Sequence, residues 1–317
     1  MNTIKNIAHE LSPFKPVYSD GYPDQSGRTW IVTGVSVGGI GFETARLLLT
    51  AGAKLWIVGR NVDKLDQSVR ELKKDAPNAD VSSILIDFND LTTVKPGLQQ
   101  FLSEVSELHG VVHNAGIMFP PVEERTKQDF DKQLGVNVVA PFLIQRYLDN
   151  LLIATAKKSP PNTVRVVWLS SAGHLAAPKN GIDWSDINLD KSGTRKKYFY
   201  SKALNVMEAI LWSQKHENSG VLSVSVHPGM IHSDLARHMS SVERYFASYV
   251  AQPVVYGAYT EIYAAVSPDL TVEKHSDAYI VPYGRVGIAR TDLVEAAEGK
   301  EGDKFWQWLT EVTDPYM

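Results

Sequence analysis

Seven short segments of this chain are apolar on nearly every residue, and that feature restricts the fold more than any other. They are Thr29–Thr33, Lys54–Val58, Val81–Asp87, Gly110–His113, Val164–Ser170, Val221–Val226 and Asp277–Val281. A strand with one wet face alternates polar and apolar residues, so near-continuous apolar runs require a sheet covered by helices on both faces. Between them lie helical patterns at Gly41–Thr50, Val62–Asp75, Lys127–Ala156 and Tyr198–His216, with a Trp-bearing helix at Phe305–Val312. Strands alternating with helices predict a doubly wound, mostly parallel, seven-stranded α/β sheet. A length of 317 residues suits one domain. Around that core, residues 1–26 are expected as an N-terminal extension and 288–317 as a C-terminal helical extension.

Ligands of open α/β sheets bind beyond the C-terminal ends of the strands. Two irregular segments fall there, Asn180–Arg195 and Ser233–Pro253. The second carries Leu235, Met239, Tyr245, Phe246 and Tyr249, a pattern that fits an apolar substrate lid over 233–253 and equally an amphipathic helix packed on the core. A net charge of −4 gives no basic field for nucleic acid, and the absence of cysteine excludes disulfides, thiolate metal sites and thiol nucleophiles. No His or carboxylate spacing resembles a zinc site, so no metal is expected. Met1 to Tyr18 lacks the apolar run of a leader or membrane anchor, and a cytoplasmic location is the expectation.

The first strand runs into Thr33-Gly34-Val35-Ser36-Val37-Gly38-Gly39-Ile40-Gly41 and then a helix. Glycines there let main-chain N–H groups and a helix N-terminus approach a pyrophosphate. Arg60 and Asn61 follow the second strand with no carboxylate before them. An acidic residue at that tip suits a ribose 2′-hydroxyl, whereas the guanidinium fork suits a 2′-phosphate, so NADP(H) is the expected cofactor and NAD(H) is not excluded. Asn61 could equally cap the next helix.

Tyr198 and Lys202 stand four apart on a predicted helix and so share a face. A tyrosine is a poor proton carrier near neutrality until a cation stabilises its phenolate, and Lys202 can supply that charge. Ser170-Ser171 ends the strand before this helix.

In this order the motifs resemble the short-chain dehydrogenase/reductase family, over roughly Gly27 to Gly287. The resemblance implies a Rossmann fold and a catalytic set of Asn137, Ser171, Tyr198 and Lys202. Tyr198 would exchange the proton, Lys202 would also bond the nicotinamide ribose, Ser171 would hold the substrate oxygen, and Asn137 would support a water relay to the lysine. It further implies cofactor contacts from Gly34, Ser36, Gly39, Ile40, Gly41, Arg60, Asn61, Asp87, Phe88, Asn114, Ala115, Gly116, Pro228, Gly229, Ile231 and Ser233. The glycine loop has four residues rather than three between Gly34 and Gly39, leaving open whether Gly38 or Gly39 takes the middle place. His113 replaces the first Asn of the Asn-Asn-Ala-Gly element.

Segments 39–45, 170–174, 198–205 and 282–285 look closest to the retinol-dehydrogenase-like and fungal-type branch, which handles hydrophobic carbonyls and alcohols. The expected substrate pocket takes in His174, His232, Leu235 and Met239. The expected partner is a small carbonyl or alcohol, with a homo-oligomer left open. A non-catalytic dinucleotide sensor on the same fold is the competing reading. Loss of the tyrosine or lysine would mark such a sensor, and both are present.

Overall fold

The computed structural model describes residues 15–179, 181–232 and 251–317. The expected lid residues Leu235 and Met239, and the cofactor contact Ser233, lie outside the described residues. Eight strands form one sheet: β1 Thr29–Thr33, β2 Lys54–Gly59, β3 Val81–Leu85, β4 Gly110–His113, β5 Val164–Leu169, β6 Val221–Val226, β7 Tyr279–Val281 and β8 Arg285–Val286. Their order is β3-β2-β1-β4-β5-β6-β7-β8. The first seven run parallel, as the apolar runs predict, and β8 is an added antiparallel edge. Two residues are too few to show an alternation in sequence, which is why β8 escapes a pattern reading. β7 begins two residues late because Asp277 takes a left-handed conformation, φ 76°.

Period-two geometry explains the apolar strands. Ile31, Trp56 and Val58 face one core with Phe101, Phe142, Trp168, Trp212 and Phe305. Their neighbours Trp30, Val32, Leu55 and Ile57 face the other, with Leu48, Val224 and Ile262. The second core is roofed by α1 Ile40–Thr50, α2 Val62–Asp75 and, later in the chain, α6 Val254–Val266. The first is roofed by α3 Val94–Glu104, α4 Ala140–Ala156, α5 Thr194–Lys215, α7 Thr291–Glu298 and α8 Lys300–Thr313. Among the described residues no helix is long and apolar enough to cross a membrane.

Three helix starts differ from expectation by several residues, among them α8, which begins at Lys300 rather than Phe305. The segment from Lys127 is a loop up to Asp131, whose carboxylate caps the chain by accepting from Gln133 and Leu134 N–H at 3.0 and 3.2 Å. A turn at Lys132–Leu134 and a π-turn at Gly135–Val139 then precede α4. α5 starts at Thr194, a turn before Tyr198. α3 and α6 went unread for opposite reasons: Pro96 and Gly97 interrupt the first, and the second is buried from Gly257 to Val266 on almost every residue, so it shows no polar stripe.

The C-terminal end of α6 is tied to β5 by one buried arginine. Arg165 is 2% exposed and donates to the carbonyls of Asn162, Ala264, Ser267 and Leu270 at 2.6–3.2 Å. Arg165→Met should leave at least three carbonyls unpaired and lower stability by about 3 kcal/mol. A calorimetric or circular-dichroism melt within a degree of wild type would show that the clamp carries no stability.

Candidate active site

The strand order reverses between β1 and β4, and the crevice opens there. Asn114 closes its floor by donating from Nδ2 to the carbonyls of Thr33 and Gly34 at 2.7 and 3.3 Å. The Thr33 hydroxyl accepts from Ala115 N–H at 2.9 Å. The two strand ends approach so closely that a Cβ on Gly34, φ 72°, would meet the Ala115 Cα at 2.6 Å. A Cβ on Gly41 would meet the Asn114 amide nitrogen at 2.3 Å.

Above this floor lies a cavity of about 330 Å³. Gly34, Ser36, Gly39 and Ile40 line its glycine turn, Arg60 and Asn61 one end, and Asp87, Phe88, Asn114, Ala115 and Gly116 its wall. Gly39 rather than Gly38 faces the cavity; Gly38 supplies the left-handed turn before it, φ 83°. Gly39 is also the N-cap of α1, so that helix points its free N–H groups into the crevice. Asn61 borders the cavity, and its Oδ1 caps α2 by accepting from Lys64 N–H at 2.9 Å. Arg60 is exposed, and among the described residues it has no ion-pair partner.

At the β5 end, Ser170 and Ser171 divide the work. The Ser170 hydroxyl is buried and donates to the Lys202 carbonyl at 2.6 Å, tying α5 to the strand. Ser171 accepts from Gly173 N–H at 3.1 Å, and its hydroxyl draws the Tyr198 phenol down against the effect of burial. Burial pushes the Tyr198 phenol up to about 12. Lys202 lies 5.9 Å from the Tyr198 ring centroid and is 3% exposed. Burial lowers its ammonium to about 8, and Nζ donates to Leu169 O at 2.6 Å and to Asn205 Oδ1 at 3.1 Å. Tyr200, the other tyrosine of the motif, is buried in the core.

Asn137 sits in the π-turn. Its side chain pairs with the Ile117 backbone, accepting from N–H at 2.8 Å and donating to C=O at 3.0 Å, and also donates to the Ser201 hydroxyl at 3.0 Å. Its main-chain carbonyl accepts from Asn205 Nδ2 at 2.8 Å.

A family model for short chain dehydrogenases matches residues 28–178. A short-chain dehydrogenase/reductase of Emericella nidulans, pkfC, is 35% identical over 299 residues, covering 93% of this chain and 95% of that protein. The chain belongs to the short-chain dehydrogenase/reductase family. Among solved structures, one from Mycobacterium Paratuberculosis has a TM-score of 0.70 at 24% identity, over 95% of this chain and 98% of that one. An NADPH-bound carbonyl reductase from chicken fatty liver has a TM-score of 0.66 at 20% identity, over 88% and 100%. The chain is thus an oxidoreductase with the fold that carries NAD(P)(H) in this family.

The crevice fits such a dinucleotide. Its glycines leave a cradle that Cβ atoms would fill, the α1 N-terminus favours anionic oxygen, and Arg60 adds a cation at one end. Pro228 and Gly229 follow β6, and Ile231 pairs with Gln252 in an isolated parallel bridge. One expected pocket residue moves. His174 is fully buried, its Nδ1 bonded to Ser171 O at 2.8 Å, because the 3₁₀ turn Ala172–Ala176 folds it under the strand end rather than onto a pocket wall. His232 stays exposed.

Two residues near the site were missed in sequence. Phe119 stands edge-on to Tyr198 at 5.3 Å in a left-handed conformation, φ 56°, which no periodicity signals. Asn205 was legible: it lies one turn beyond Lys202 on the same helix face.

Alanine at position 41 should stabilise an open helix by about 1 kcal/mol, but here its methyl meets the Asn114 amide. Gly41→Ala should therefore fold and bind NAD(P)H at least about tenfold more weakly. Fluorescence titration with the reduced dinucleotide checks this, and unchanged affinity would mean that the Asn114 contact does not shape the crevice.

Proposed function

We propose that this enzyme is an NADP(H)-dependent carbonyl reductase, interconverting a ketone or aldehyde and an alcohol on a hydrophobic small molecule. The observation that carries the reading is the burial of Tyr198 and Lys202 together at the β5 tip beside Ser171, with the Lys202 ammonium 5.9 Å from the phenol ring.

The dinucleotide, when bound, supplies the hydride for the carbonyl carbon. Ser171 holds the carbonyl oxygen by donating its hydroxyl hydrogen, where negative charge grows as the hydride arrives. Tyr198 gives its proton to the same oxygen. With its phenol near 12, Tyr198 keeps that proton at neutral pH until the substrate oxygen takes it. Lys202, whose ammonium persists to about pH 8, faces the phenolate left behind and offsets its charge. Asn137 touches no reacting atom; it braces Ile117 and Ser201 around the lysine.

In this reading Gly34, Ser36, Gly39, Ile40 and Gly41 bind the pyrophosphate. Arg60 and Asn61 hold the 2′-phosphate end, Asp87 and Phe88 border the adenine, and Asn114, Ala115 and Gly116 carry the adjoining ribose. Pro228, Gly229, Ile231 and Ser233 seat the nicotinamide amide. Phe119 and Phe199, ringed against Tyr198, supply an apolar wall, which supports a hydrophobic substrate. His232 extends that pocket.

Loss of NADPH absorbance across a panel of aliphatic, aromatic and polycyclic carbonyls tests the reaction. Tyr198→Phe should reduce kcat by at least about 100-fold; turnover equal to wild type would remove Tyr198 from the chemistry. Arg60→Ala should weaken NADPH about tenfold and leave NADH within about twofold, since only the phosphate uses the guanidinium fork. Equal losses for both cofactors would count against the NADP(H) preference.

A further inference from the structure

Lys202 is held from the protein side by a chain of side chains that the reaction scheme above does not use. Asn205 stands at its centre. A lysine ammonium can only donate, and a main-chain carbonyl can only accept. Asn205 lies between one of each, with Oδ1 on Lys202 Nζ at 3.1 Å and Nδ2 on Asn137 O at 2.8 Å, so its amide orientation is fixed by its partners. The second hydrogen of Nδ2 goes to Glu208 Oε2 at 2.8 Å. All four groups are buried, with Asn137, Lys202, Asn205 and Glu208 between 1% and 3% exposed.

Glu208 is suited to be a neutral acceptor. Its Oε1 is buried and has no hydrogen-bond partner among the described residues, an arrangement a full carboxylate charge does not tolerate. Burial also pushes its carboxyl well above the usual carboxylate range. The ionisable groups acting on Lys202 are Glu208 on its own helix and Glu261 on α6, with Tyr198 beyond. The β5 tip, the Gly116 loop and the π-turn bring Leu169, Gly116 and Asn137, all neutral.

We propose that Asn205 is a positioning residue for catalysis: its carboxamide, itself held by Glu208, joins Lys202 directly to the Asn137 carbonyl, making with side-chain atoms the link expected from water. This rests on the carbonyl-reductase reading for its catalytic consequence, but the hold on Lys202 is a property of the free protein. Two of the three ammonium hydrogens are thereby committed to Leu169 and Asn205, and the third is left for the crevice, where Gly116 lies beside Nζ.

The test reads Lys202 itself. Protein labelled with 13C at lysine Cε is titrated without dinucleotide, and the Lys202 resonance is identified by its loss in Lys202→Met. Wild type should titrate near about 8. Asn205→Leu, similar in size and without polar atoms, removes an acceptor from the ammonium and should lower that midpoint by about one unit or more. Asn205→Asp sets a carboxylate against the ammonium and should raise it. An unchanged midpoint in folded Asn205→Leu overturns the proposal; if that variant does not fold, an unchanged midpoint in Asn205→Asp does so.

In the loaded enzyme, the pH above which reduction falls should drop with the Lys202 midpoint in Asn205→Leu, and kcat should fall about tenfold. Asn205→Ser, whose hydroxyl can again accept from the ammonium, should recover part of both. A midpoint that moves while kcat and its pH profile stay put overturns the positioning role. If the midpoint moves and no carbonyl is reduced, the carbonyl-reductase reading fails and the hold on Lys202 stands; an active enzyme with an unmoved midpoint gives the reverse.

Discussion

An ammonium group placed at the inner edge of a parallel sheet must have its charge met by fixed dipoles, and the rest of this site is arranged around that requirement. Lys202 is 3% exposed, and water is not its principal solvent. The β5 tip supplies one dipole through the Leu169 carbonyl, and α5 supplies the other through Asn205. Each contact fixes an element: α5 cannot slide along β5 without losing Leu169, nor rotate without losing Asn137. The Ser170 hydroxyl bonded to the Lys202 carbonyl locks the same helix to the same strand from its backbone side. The face of α5 that carries Tyr198 and Lys202 is therefore set by buried polar contacts, while its apolar residues from Ala203 to Trp212 provide the burial that makes those contacts strong.

The π-turn at Gly135–Val139 belongs to the same arrangement. An α-helical turn bonds each carbonyl within its own helix, whereas a π-turn opens the ladder by one residue. Here Pro141, four residues on, has no N–H for the Asn137 carbonyl, which accepts instead from Asn205, while the Asn137 side chain reaches both backbone groups of Ile117. One residue thus joins the loop after β4 to helix α5, across the mouth of the crevice. The glycine crevice and the Tyr198–Lys202 end of α5 are consequently parts of one hydrogen-bonded frame.

The sheet and the glycine crevice were legible in sequence because each rests on a local rule. Strands buried on both faces must be apolar at successive positions, as Trp30 and Ile31 are, one in each core. Tyr198 and Lys202 were legible because a spacing of four on a helix is a geometric statement. The unread parts depend on partners distant in the chain. The left-handed Phe119 is held by Gln133, which accepts from its N–H at 3.0 Å, and no residue near Phe119 announces that. His174 reads as a pocket residue because it follows Ser171 closely, yet the direction of a 3₁₀ turn decides which way it faces. β8 and the late start of β7 follow from single backbone conformations that propensity does not resolve.

His113 shows how this frame limits what a sequence departure can do. It occupies a place where the family pattern has asparagine, next to Asn114, but adjacent residues of a strand point to opposite faces. Asn114 turns to the crevice, and His113 turns into the helical layer. There its ring stacks on Trp168 at 4.5 Å and its Nε2 pairs with Gln145 Oε1 at 2.9 Å. Burial lowers its pKa to about 4, so the imidazole is neutral at physiological pH and adds no charge behind the crevice. Gln145 in turn donates to Asp149 at 2.7 Å, which also accepts from Trp212 on α5. A substitution at the edge of the cofactor motif is absorbed by packing between β4, α4 and α5, and the main-chain geometry that Asn114 imposes on the crevice is independent of it.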